Sequence, residues 1–89
     1  MPLDKYRKQI DDIDRQLITL LHERMVVVEN VGVFKKINKI EPLDEARWQE
    51  VLYTRLEWAK KLQISEKLIK RIWEIIHTEA LRIEKRKSK

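Results

Sequence analysis

The sequence predicts an all-α protein: a three-helix protomer with a very long first helix, paired with a second copy as a helical homodimer. Three observations carry this. A ladder in steps of three and four runs from Leu3 to Phe34, apolar at every rung but Arg24. One Gly and two Pro in 89 residues leave too few turn-formers for a many-stranded β fold. Charged residues at 39 % beside hydrophobic residues at 43 % suit amphipathic helices and argue against a disordered chain.

The first helix is expected over about residues 3–37. Its ladder is Leu3, Tyr6, Ile10, Ile13, Leu17, Leu20, Arg24, Val27, Val31 and Phe34. That is an a/d seam, as found where a long helix packs on other helices. Pro2 sits at the start, where Pro is tolerated. The seam fades after Ile37, and Asn38 to Pro42 reads as a loop, because Pro42 disfavours helix at Glu41. Asp44 is the expected N-cap of a second helix over about 44–62. Ser65 caps a third over about 65–85, whose apolar face is Leu68, Ile69, Ile72, Trp73, Ile75, Ile76, Ala80 and Ile83. The basic tail Lys85-Arg86-Lys87 and Ser88 should fray. Residues 1–89 read as one domain.

Length supplies the dimer. Leu3 to Ile37 is a rod of roughly 50 Å at 1.5 Å per residue. A compact chain of this size has a radius of gyration near ~12 Å and is about 30 Å across. The first helix outruns its own domain with its seam still apolar. Two helices of about 20 residues cannot cover it, so an isologous second copy is the simplest cover.

Some residues break the pattern. Arg24 stands where the ladder wants Leu or Val, and a buried guanidinium is costly without a partner. Its stem packs while its head reaches the edge, or it pairs with a local acid such as Glu23, or it serves a ligand. Lys35 lies eleven residues on, about 20° around the wheel and ~16 Å along the axis, so the two cations flank one stretch of one face. Gly32 between them costs about 1 kcal/mol against Ala in mid-helix and points to close packing. Arg7 lies about 25 Å from Arg24 and cannot share its site within one helix; in an antiparallel dimer the partner's Arg7 could.

Other classes are excluded or weakened. There is no Cys, and His22 and His77 lack a second ligand at useful spacing, so no metal site is expected. No phosphate loop or nucleophile motif is present. The N-terminus is no signal peptide and no apolar run spans a bilayer, so a cytoplasmic protein without membrane contact is expected. The net charge of +5 favours anionic partners, but the signs are interleaved and the cations sit beside the seam, so nucleic acid is not expected. Trp48, Trp58 and Trp73 read as core.

The residues Leu3, Arg7, Ile10-Asp11 and Ile13-Asp14 resemble the opening of the all-helical chorismate mutases, roughly L-x-x-x-R-x-x-I-D-x-I-D. The likeness continues through Glu23-Arg24, Val31-Gly32, Lys35, Asp44-x-x-Arg47, Val51-Leu52 and Ile72 to Ile76, nearly the whole chain. It implies an intertwined homodimer with two shared sites. It also implies a cofactor-free isomerase that rearranges chorismate to prephenate. By resemblance, Arg24 and the partner's Arg7 clamp the two substrate carboxylates. Lys35 donates to the ether oxygen as negative charge grows there. Asp44 helps bind the ring hydroxyl, and Arg47 orders the loop and the carboxylate region.

Two positions depart from the family pattern. Trp48 stands where a Glu commonly accepts from the ring hydroxyl; Asp44, or Glu50 with the helix rotated, is the nearest replacement. Glu84 stands where Gln is frequent, and a carboxylate there helps only when protonated. The alternative for Glu84 is a solvated acid pairing with Lys85 or Lys87. Competing readings are an isochorismate pyruvate lyase, which Trp48 and Arg55-x-x-Trp58-Ala59 resemble, and a non-catalytic helical dimer that binds an anionic partner.

Overall fold

The computed structural model describes residues 1–87, so Ser88 of the expected frayed tail lies outside the described residues. Three helices follow one another: α1 (Pro2–Ile37), α2 (Glu45–Lys61) and α3 (Glu66–Lys87). No strand occurs among the described residues, and no helix there is long and apolar enough to cross a membrane.

The helix ends follow local chemistry. Pro2 occupies the first turn of α1, where its missing N–H costs nothing. Asp44 caps α2, its Oδ1 accepting from the Arg47 N–H at 3.0 Å. Ser65 caps α3, its Oγ accepting from the Leu68 N–H at 3.2 Å. The C-terminal ends of α1 and α2 fall at Ile37 and Lys61, close to where the sequence places them, but their cap conformations were not legible. Lys39 and Gln63 adopt left-handed backbone, φ 55° and 57°, where Gly is usual. Each closes its helix with a paired pattern: Lys39 and Ile40 donate to the carbonyls of Lys36 and Lys35, and Gln63 and Ile64 to those of Lys60 and Ala59. The expected fraying after residue 85 is corrected: Lys85, Arg86 and Lys87 continue α3, and Lys87 lies 3.7 Å from Glu29 of α1.

Glu29 beside Lys87 and Gly32 beside Glu84 set α3 antiparallel to the last turns of α1. A Cβ on Gly32 would meet Glu84 Cα at 3.0 Å and Lys87 Cβ at 3.1 Å. The close packing expected there is therefore real. Both α1 and α2 pack on α3, and they make no close backbone approach to each other. Between them they leave a cleft with α3 as its floor.

The core is small. It comprises Val51 and Ala59 of α2 with Ile76, Ala80 and Ile83 of α3. Leu68, Ile72 and Ile75, expected on the apolar face of α3, stay exposed. Trp58 is a correction: it is 54 % exposed, with the Arg55 guanidinium 4.7 Å from its ring centroid. The radius of gyration is 16.2 Å and the longest extent 56 Å, as a rod that outruns its domain requires. Along α1, Leu3, Tyr6, Ile10, Ile13, Leu17 and Leu20 are each between 50 % and 61 % exposed in the protomer.

Candidate active site

The cleft between α1 and α2 holds a cavity of about 220 Å³. Arg24 and Lys35 reach it from α1, Asp44 and Arg47 from the start of α2, and Glu84 from α3. Five of the six residues singled out from the sequence therefore meet. The sixth, Arg7, stays on the exposed rod, 4.0 Å from Asp4.

Arg24 is half-buried and its Nη1 has no hydrogen-bond partner. Pairing with Glu23 does not occur among the described residues. Burial first, then the nearby Arg47 guanidinium, lowers the Arg24 pKa from its ordinary value. Arg47 itself is paired with Glu50, one turn on along α2. Both members are more than half exposed, so the pair is screened by water. Glu50 therefore faces Arg47 at the surface and does not replace the missing acid of the cavity. Arg55 stands behind this group. Its Nε is buried without a partner, and its pKa is lowered by burial, then by Arg47 and Arg24, with Glu50 acting the other way.

Lys35 is a largely enclosed cation. Its ammonium donates to the Pro42 carbonyl at 2.6 Å and sits 2.8 Å from Glu84 Oε1. The two side chains are only 16 % and 11 % exposed. The solvated-acid reading of Glu84 is thereby overturned: it is buried and joined to Lys35, while Lys87 goes to Glu29. The approach of Lys35 is not aligned as a hydrogen bond, and Glu84 Oε1 is left without one. An ammonium has three donors, and only the Pro42 carbonyl takes one in an aligned hydrogen bond, so Lys35 keeps a donor for a ligand while held near Glu84.

Asp44 divides its work. One carboxylate oxygen caps α2, which ties the loop, the cap and the cavity wall into one structure. Trp48 lines the cavity in the first turn of α2. The His77 ring lies flat on it, centroids 4.0 Å apart and planes within 10°. Trp73 also lines the cavity, with its Nε1 buried and unpartnered.

Sequence reasoning missed His77, set aside for want of a second metal ligand, and the polar edge of Trp73. A signal was present: Trp73, His77, Ala80 and Glu84 recur at helical steps, so they form one stripe of α3. No group of His and acids able to hold a metal occurs among the described residues.

Four buried side-chain polar atoms have no hydrogen-bond partner among the described residues: Arg24 Nη1, Arg55 Nε, Trp73 Nε1 and Glu84 Oε1. Arg24, Trp73 and Glu84 line this one cavity. Buried polar groups are normally satisfied, and each exception calls for a reason. Three cations and unpaired donors around one space describe a receptor for an anion with several acceptor atoms. The volume is small against the roughly 300–1,000 Å³ of common ligand pockets.

Residues 6–85 match a family model described as chorismate mutase type II. No curated protein matches the chain.

Proposed function

The chain belongs to the type II chorismate mutase family, and on that premise we propose that it rearranges chorismate to prephenate without a cofactor, as a homodimer. The observation that carries this reading is the unpaired Arg24 guanidinium on a cavity it shares with Lys35 and Arg47.

The substrate is a dianion whose enolpyruvyl arm must fold over its ring. Arg24 and Arg7 of the partner subunit hold the two carboxylates, each in the planar fork that matches a carboxylate. That clamp fixes a near-attack geometry and removes orientational freedom before the bonds change. In the rearrangement the ether C–O bond breaks as the new C–C bond forms. Negative charge grows on the ether oxygen, and a free donor of Lys35 meets it there. A donor that gains strength as charge develops lowers the barrier rather than merely binding substrate. Asp44 and Arg47 order the loop and the mouth of the cavity. Glu84 assists at the ether oxygen when it carries a proton, and as a carboxylate it draws Lys35 away.

The dimer has independent support in the bare ladder of α1. A core of five buried apolar residues is slight for 89 residues. A continuous apolar stripe left open in one protomer marks an interface. A second copy running antiparallel covers that stripe, brings the partner's Arg7 to Arg24 and completes the small cavity.

The test is a paired assay. Purified protein receives chorismate and, separately, isochorismate, with prephenate and salicylate plus pyruvate followed. Prephenate from chorismate is expected, with Lys35→Ala losing at least about a hundredfold in kcat while the dimer mass is kept. Trp48 in the cavity wall, where an acid is usual in the family, favours the lyase as second reading. Salicylate from isochorismate with little prephenate would establish it. Silence on both substrates would leave a binding protein for anions.

A further inference from the structure

The proposed substrate carries one ring hydroxyl besides its two carboxylates and ether oxygen. The cations of the cavity are matched to the anionic and ether groups, which leaves the hydroxyl to a neutral or acidic partner. The candidates are few. Asp44 has one oxygen, Oδ1, committed to the Arg47 N–H in capping α2, which fixes where its carboxylate can reach. Glu84 is drawn to Lys35 at 2.8 Å. Trp73 offers only a donor. His77 differs from all three. It lines the cavity, and neither ring nitrogen makes a hydrogen bond among the described residues.

The stack explains how His77 is presented. One face of the imidazole is covered by the Trp48 ring at 4.0 Å and 10°. The hydrogen-bonding atoms of an imidazole lie on its edge, and the stack leaves that edge free. A ring held by an aromatic platform has lost its rotamer freedom before the ligand arrives, so binding need not order it. His77 precedes Glu84 by seven residues, two turns of α3, on the same stripe. The floor of the cavity thus has an ionic end at Lys35 and Glu84 and an aromatic end at Trp48 and His77. A space of about 220 Å³ is small enough for one ligand to touch both.

We propose that His77, held by Trp48, is the residue that recognises the ring hydroxyl of the substrate. Trp48 is then a positioning residue, acting through His77. The inference rests on the mutase reading, and the experiment separates the two. The kcat/KM of wild type, His77→Phe and His77→Gln is measured with chorismate and with its analogue lacking the ring hydroxyl. His77→Phe keeps a ring on Trp48 and removes both nitrogens. It is expected to lose about tenfold on chorismate and nothing on the deoxy analogue, with His77→Gln recovering most of the loss. Trp48→Leu keeps the imidazole without its platform and is expected to show the same one-sided loss, which serves if His77→Phe does not fold. Equal losses on both substrates, or none on chorismate, would overturn the assignment of His77 and leave the mutase reading intact. A wild-type protein that turns over neither substrate would overturn both.

Discussion

From Leu3 to Leu20, α1 leaves every rung of its ladder half exposed or more, and no other element covers it. From Arg24 to Lys35 the same helix is interrupted by two cations and a glycine and lies against α3. The two halves share one periodicity, and Val27 and Phe34 stay as exposed as the earlier rungs; what sets the second half apart is Arg24 on the ladder and the neighbouring face of Gly32 and Lys35. The unbroken half carries a surface with no occupant in the protomer. The broken half places charge beside apolar packing, which costs stability unless a ligand or partner repays it. Regularity therefore marks where the chain assembles, and departure from it marks where the chain does chemistry.

The strongest way to break this comparison is to charge the bare half. Ile10→Lys with Ile13→Lys puts two ammonium groups on a stripe assigned to a second copy. The expected result is loss of the dimer, from twice the 10.9 kDa protomer mass to 10.9 kDa, with much of the helical signal lost. The remaining core, Val51, Ala59, Ile76, Ala80 and Ile83, offers little to hold α1. Light scattering and far-UV circular dichroism read both effects. A variant of unchanged mass and helicity would separate the ladder from assembly.

Next in size is Arg24→Leu, which restores the ladder in the broken half. Its sign on stability follows from linkage. A base whose folded pKa is lowered weakens the fold at every pH below that value, and Arg24 is lowered by burial and by Arg47. Replacing a desolvated, unpaired guanidinium by a shorter apolar side chain that fits the ladder is expected to raise stability by about 1 kcal/mol. The same change is expected to cost at least about a hundredfold in kcat/KM, since one carboxylate loses its clamp. Denaturant unfolding without substrate and steady-state kinetics would show the opposite signs. Lower stability together with lower activity would mean that Arg24 has a structural partner.

Much of this was legible because it is local. The ladder, the caps at Asp44 and Ser65, and the shared face of Arg24 and Lys35 all follow from spacing within one helix. The contact at Gly32 was legible as a cost in search of a cause. What escaped was set between helices. The Lys35–Glu84 pair and the Trp48–His77 stack depend on how α2 and α3 are turned, which no single periodicity fixes. Trp58 was assigned to the core by its type, but its position on α2 points it outward. Lys39 and Gln63 end their helices in left-handed backbone without the Gly that would have announced it.

The smallest expected effect tests the seam between the halves. Gly32→Ala brings two opposed contributions. Alanine in mid-helix gains about 1 kcal/mol over glycine. Its Cβ, however, would stand 3.0 Å from Glu84 Cα and 3.1 Å from Lys87 Cβ. Neither atom can swing aside, because Glu84 Cα is backbone and Lys87 Cβ is fixed by it, so α3 must shift by a few tenths of an ångström. Crowding of this kind costs about 1–3 kcal/mol, and the net expected is a loss of about 1 kcal/mol by chemical denaturation. Activity should fall further than stability, by several-fold in kcat, because the displaced residue is the one 2.8 Å from Lys35. If Gly32→Ala proves as active as wild type and more stable, α3 yields without moving that carboxylate. The bare half of α1 and the crowded half would then differ in charge alone, and the close approach at Gly32 would have no part in setting the site.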